Sequence, residues 1–193
     1  MNKREQQRND RREQILMCSL DLIISRGFEA TTIRDIAKKL NISTGLFFNY
    51  FESKESIYEE LVRIGLSGPH GVLQLLDDES LTPIQAFERI TEKIFKALRC
   101  ESITAKIFIL MSRSMNSNGV PESIKLLLNQ FDAVTPILPH IIKGQQLGEV
   151  KQGNPTALAI AYWSAVQGVA ENLALNEGLP MPESSWIVDI LRS

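Results

Sequence analysis

Apolar residues recur along this chain at intervals of three and four, the repeat of a helix with one buried face, and no stretch alternates as a strand would. Ile15, Leu16, Leu22 and Ile23 mark a first helix, roughly Arg11 to Ser25, ended by Gly27 before Phe28 returns to the core. Ile33, Ile36, Ala37 and Leu40 form the stripe of a short second helix. Thr32 and Asp35 are spaced to satisfy the free amides at its start, and Asn41 suits the left-handed residue that ends it. Ile42 then fills the corner between two helices, and Ser43 is placed to cap a third, reaching about Phe51.

Successive helical residues turn by roughly 100°, so Phe47 and Phe51 share the inner face of that third helix. Gly45, Leu46, Phe48 and Asn49 point outward, and none of them is charged. An uncharged outer face suits the major groove of DNA, where Asn bonds adenine bidentately and apolar groups touch the thymine methyl. Gly45 leaves room for backbone to approach a phosphate. Ser53 is placed to cap a fourth helix whose first turn holds Lys54, and which carries Ile57, Leu61 and Ile64 to about Leu66, where Ser67-Gly68-Pro69 should interrupt it.

Taken together, residues from about Asp10 to Leu66 resemble the DNA-binding domain of the TetR family of bacterial transcription regulators. The resemblance rests on the spacing of Gly27-Phe28, Thr31-Thr32, Ile36-Ala37, Ser43, Gly45, Phe47, Asn49-Tyr50-Phe51 and Ser53-Lys54-Glu55. It implies an all-α protein with a helix-turn-helix at about 32–51 inside a domain at 9–69, and a ligand-sensing and dimerisation domain at 70–193. Thr32, Thr44, Tyr50 and Lys54 are expected on the DNA backbone, Gly45, Leu46, Phe48 and Asn49 on the outer, DNA-reading face, and Ser43 among the DNA-binding residues. Phe48 stands where the family usually has a tyrosine, so that phosphate-reaching hydroxyl is missing.

Beyond Leu66 the pattern predicts further helices, about nine in all. One runs from Pro83 to about Cys100, with Ile84, Phe87, Ile90, Ile94, Phe95 and Leu98 inward; Ser102 to Ser114 is apolar on nearly every side. A long segment from Pro121 to about Lys143 must bend or break at Pro136 and Pro139, where a pocket can form. Pro155 to Leu175 and Glu183 to Leu191 complete the chain. Their small and aromatic residues, together with the family resemblance, make these last helices the expected homodimer seam, with closure of the monomer core as the alternative. Phe95, Phe108, Met111, Met115, Phe131, Trp163 and Gln167 are the candidate pocket lining, for a small hydrophobic or amphipathic effector. The same stripes are equally the material of an ordinary core.

Composition sharpens this in three ways. With 193 residues and 44% apolar content, the chain can bury a sizeable core, and no apolar run reaches the roughly 18 residues of a membrane span. The charged start MNKREQQRNDRREQ lacks a signal-peptide core, so a cytoplasmic protein is expected. Residues 1–54 hold ten Lys and Arg against seven Asp and Glu, a net of +3, and the remainder nets −5 of the total −2. Lys3, Arg4, Arg8, Arg11 and Arg12 crowd an arm suited either to the duplex or to solvent.

Cys18 and Cys100 are isolated and expected to be reduced core or boundary thiols, with redox sensing at Cys100 as the alternative. His70 and His140 are the only histidines, and no hydrolase, phosphate-loop or metalloprotease motif is present, so no enzyme, cofactor or metal is expected. The expected function is a homodimeric repressor on a palindromic operator, released by a ligand. A ligand-independent activator or architectural DNA-binding protein is the first alternative, and a protein-interaction bundle the second.

Overall fold

A computed structural model describes the whole chain apart from Met1, Glu101, Asn118 and Glu177, and apart from the side chains of Pro69, His70 and Ser102. Thus the expected 116–119 loop is only partly described, and the His70 side chain lies outside the described residues. Among these, the chain forms ten α-helices and two short 3-10 turns, with one isolated β-bridge, Val150 to Arg192.

α1 (Lys3–Arg26) begins well before the expected Arg11. Asn2 and Glu5 make a capping box, in which the Asn2 amide donates to Glu5 Oε2 at 2.9 Å, and Gln6 donates to Asp10 at 2.7 Å one turn on. Periodicity could not reveal this, because the added turns carry no buried residue; good helix formers and a cap suffice. α1 ends at Gly27, whose φ of +86° needs no Cβ. α2 (Ile33–Lys39) has the expected Thr32–Asp35 capping box, and Asn41 takes φ +53° so that the Ile42 amide reaches the Ala37 carbonyl at 2.9 Å. α3 (Thr44–Phe48) is shorter than expected.

α4 (Lys54–Leu73) passes through Ser67, Gly68 and Pro69 without the expected interruption. A proline removes one ladder bond, a local loss. Val72 and Leu73 beyond it pack on a buried cluster and hold the segment helical. A 3-10 turn (Gln74–Asp77) leads to α5 (Pro83–Cys100), which buries the expected stripe, and α6 (Ser102–Met115) follows. The segment from Pro121, expected to bend or break at Pro136 and Pro139, already leaves the helix after Leu128 and forms α7 (Glu122–Leu128), a 3-10 turn (Thr135–Ile137) and α8 (Leu138–Gln146), which raises the count from nine to ten. α9 (Pro155–Leu175) is capped by Asn154, and α10 (Ser184–Val188) is a short closing helix.

These helices form two compact units, residues 1–65 with 109–129, and residues 66–108 with 130–193. The first therefore includes the end of α6 and all of α7, a grouping unlike the division expected near residue 69. Its core is Ile15, Leu20, Ile36, Phe47, Ile57, Leu61, Leu110 and Ile124. The buried Tyr58 hydroxyl meets Ser114 Oγ at 2.6 Å, and the Phe28 ring stacks on Tyr58 at 4.7 Å. Cys18 is buried here, and loss of hydration pushes its thiol pKa up, so it is an unreactive core thiol.

In the second unit, Phe87, Ile90, Phe95, Ile137, Ile141, Tyr162 and Val166 are packed together. Tyr162 is fully buried, and its hydroxyl meets Thr91 Oγ1 at 2.9 Å. Cys100, at the end of α5, is exposed.

Candidate nucleic-acid interface

The reading unit is built from α2, the turn at Asn41 and α3. Ile36 and Phe47 are fully buried and Phe51 is 4% exposed, so these side chains fix the inner faces. Ser43 Oγ accepts the Leu46 amide at 3.0 Å and sets the start of α3. The outer face is then presented to solvent. Thr44, Gly45 and Asn49 are exposed, Phe48 is 53% exposed, and Leu46 is half-buried. Phe48 touches Phe47 edge-on at 5.5 Å, which orients a ring that has little other cover.

The expected backbone contacts flank this face with differing freedom. Thr32 Oγ1 donates to Asp35 Oδ2 at 2.6 Å, and this bond holds the Asp35 carboxyl below its usual range. Thr32 must share its hydroxyl to reach a phosphate. Lys54 Nζ donates to the Phe28 carbonyl at 2.7 Å and sits 4.0 Å over the Phe28 ring. Its ammonium is therefore tied to the loop between α1 and α2 rather than directed outward, and only its backbone amide at the start of α4 is positioned without rearrangement. Ser53 caps α4 as expected, its Oγ accepting the Ser56 amide at 3.0 Å.

Tyr50 is half-buried and borders an open cleft of about 370 Å³ with Glu5, Arg8, Asn9 and Arg12 of α1. Arg12 is fixed there by a two-pronged ion pair with Glu60 and lies 4.6 Å over the Phe51 ring. The expected basic arm is thus helical and borders Tyr50. Arg8 was legible in the sequence only as one of five basic residues of the arm, and Asn9 carried no signal of its own.

The seven candidate pocket residues divide between the two units, five in the second and two in the first. Phe95 is 1% exposed in the second unit's core, with Phe108 and Trp163 packed against it. Met111 is buried in the first unit, where Met115 is 43% exposed. Gln167 faces solvent and donates to Glu171 at 2.9 Å. Packing demand explains the pattern, since aromatic and Met stripes fill a core before they line a cavity. Of the seven, Phe131 alone borders a cavity of about 410 Å³ in the second unit, with Leu66, Leu76, Asp77, Asp132 and His140.

Burial pushes the His140 imidazole below its ordinary pKa, with the Asp77 carboxylate opposing. The unfolded chain then binds more protons than the folded one near pH 6.5, so stability is expected to fall as pH drops through that value. Thermal melts from about pH 5 to 8 should show this decline. H140Q should flatten it, and an unchanged slope in H140Q would assign it elsewhere.

Among the described residues no group of three or more His, Cys, Asp or Glu is placed to hold a metal, and no helix is long and apolar enough to cross a membrane. Residues 15–61 match the family described as bacterial regulatory proteins, tetR family. The chain is 29% identical over 112 residues to the HTH-type transcriptional repressor KstR2 of Mycolicibacterium smegmatis, covering 58% of this chain and 54% of that one. It is also 29% identical over 85 residues to IcaR of Staphylococcus aureus, the negative transcriptional regulator of the biofilm operon icaADBC, covering 44% and 46%. The chain therefore spans about half the length of these relatives.

Whole-chain likeness appears in solved structures. That of the ketosteroid transcriptional regulator KstR2 of Mycobacterium tuberculosis has a TM-score of 0.74 at 18% identity, with 95% of each chain covered. That of AibR in complex with isovaleryl coenzyme A and operator DNA has a TM-score of 0.64 at 17% identity, covering 93% of this chain and 94% of that one. The helix-turn-helix at residues 15–61 is thus matched in sequence to the TetR family of bacterial regulatory proteins, and the whole chain shares the helical fold of the solved structures.

Proposed function

We propose that this chain is a homodimeric, sequence-specific transcriptional repressor that leaves a palindromic operator when a small hydrophobic or amphipathic ligand occupies its second unit. The observation that carries the DNA reading is the outer face of α3, where an exposed Asn49 and a 53% exposed Phe48 stand on a helix whose inner face is locked by fully buried Phe47. Repressors among the sequence relatives, and a ligand-bound, DNA-bound structural neighbour, support the same reading.

One short helix reads only a few base pairs, so a genomic address needs two copies. α9 and α10 are the proposed seam. Ile160 is 52% exposed on α9 and Trp186 63% exposed on α10, and large apolar groups left in water favour a partner surface. The cavity bordered by Phe131 and His140 is the proposed ligand site. α4 and α6 each contribute residues to both units, which makes them the proposed carriers of ligand-induced change.

The test is fluorescence anisotropy on duplex DNA from upstream of the protein's own gene, against a scrambled duplex at two salt concentrations. Selective binding of about a thousandfold is expected; equal, steeply salt-dependent binding to both duplexes would refute specific reading at this site. N49A should lose about 1–3 kcal/mol of discrimination between the two duplexes. A loss of the same size on both would place Asn49 on the backbone instead.

A further inference from the structure

We propose that the cavity of the second unit takes an organic cation with an apolar tail, its ammonium group held at the rim by the carboxylates of Asp77 and Asp132 and its tail laid against Leu73, Leu76 and Phe131. This rests on the reading of that cavity as the ligand site and names the chemical class that fits it. At about 410 Å³ the cavity has the size of a small-molecule site. Among the described residues its lining holds two acids and one histidine, with no Lys or Arg.

The lining is sorted by depth. Leu76 is buried and Leu66, Leu73 and Phe131 are half-buried, whereas Asp77 and Asp132 are exposed. Hydrocarbon is therefore accepted within and charge is met where water still reaches, which spares both carboxylates the cost of full desolvation. Neither acid has an ion-pair partner among the described residues. Asp132 is also fixed in place. The Thr135 side chain and amide and the Val134 amide bond its carboxylate, both amides at 2.9 Å, and hold it below its usual range, so it stays charged.

The bases on the same elements stand outside the lining. Lys93 donates to the Gly71 carbonyl at 3.1 Å, and Lys143, whose charge reaches His140, is exposed. Burial holds the His140 imidazole below its ordinary pKa, so at neutral pH it adds no positive charge. An anionic ligand would thus meet two like charges with no base to pair with, and a neutral one would gain nothing from the carboxylates. Phe131 directly precedes Asp132, and an aromatic face attracts a cation further. Among the described residues no three acids, histidines or cysteines are placed to hold a metal, which points to an organic cation.

The experiment is isothermal titration calorimetry of the full chain near neutral pH with probes that share one tail: octyltrimethylammonium, octanol and octanoate. The imidazole proton signals of the two histidines are followed in parallel, and H140Q identifies which belongs to His140. Octyltrimethylammonium should bind tightest, about three- to tenfold above octanol, with octanoate weakest, and should move the His140 signal. D77N and D132N should each weaken the cation about two- to fivefold and leave octanol unchanged. Asparagine keeps an oxygen for the Val134 and Thr135 amides, so D132N should melt as wild type does. Added salt should weaken the cation alone. Octanoate binding as tightly as the cation, with the His140 signal moving, overturns the cation class and leaves the cavity standing as a ligand site. Cation binding unchanged in D77N and D132N overturns it as well. If no probe binds, or none moves the His140 signal, the cavity itself fails and the class with it.

Discussion

Replacing Phe47 by alanine is expected to destabilise the first unit by about 3–5 kcal/mol, lowering its melting temperature by more than about 10 °C and abolishing DNA binding. Phe47 is fully buried, touches Phe48 and Phe51, and belongs to the core that also holds Ile36. Its removal leaves a ring-sized void that short helices cannot close without moving α3. The contrast is its neighbour. Phe48 is 53% exposed, so F48A forfeits mainly an edge-on contact worth about 1 kcal/mol and should melt close to wild type. It should nevertheless lose affinity for operator DNA, because its ring belongs to the outward face. Circular dichroism melts and anisotropy on both variants separate the two roles. Wild-type stability in F47A, or wild-type affinity in F48A, would reverse the assignment of inner and outer faces.

Gly144→Ala should destabilise the second unit by about 1–3 kcal/mol, although helix propensity alone favours alanine by about 1 kcal/mol. A Cβ built at Gly144 would lie 2.5 Å from Val150 Cγ2 and 3.4 Å from Pro83 Cβ. Val150 cannot retreat easily, because it is 1% exposed and bridged to Arg192. The Gly144 carbonyl also accepts the Glu149 amide at 2.9 Å and the Val150 amide at 3.1 Å, so the two backbones are fastened where the methyl would intrude. The clash therefore outweighs the propensity gain. V150A should cancel part of the loss, and the double variant should exceed the sum of the singles by about 0.5–3 kcal/mol in thermal or denaturant unfolding. Strict additivity, or a G144A that melts at or above wild type, would mean that the Val150 side chain turns away freely.

Much of the reading unit was legible because its signals are local. Thr32 with Asp35, Asn41 and Ser43 act within three residues of themselves, and the pairing of Phe47 with Phe51 follows from the helical repeat. Where reading failed, a different force decided. The start of α1 was hidden because its added turns bury nothing, so periodicity was silent while a cap and good helix formers acted. Pro69 read as a break, yet Val72 and Leu73 gain enough by packing to hold α4 through it. Gln167 shares a helix with Trp163 but faces water, so shared polarity and spacing could not place it in a pocket.

The sequence by itself determined the helical class, the helix-turn-helix and which of its faces is buried, since each depends on residues within a turn or two of one another. Only the tertiary structure decided that the end of α6 belongs with the first unit, where Tyr58 meets Ser114 across 56 positions of chain. The same holds for the tying of Lys54 to Phe28, 26 positions away, and for the meeting of Arg8 and Asn9 with Tyr50 in one cleft. Such contacts join distant residues through the packing of whole helices, and no local propensity encodes which side chains that packing will bring within bonding distance.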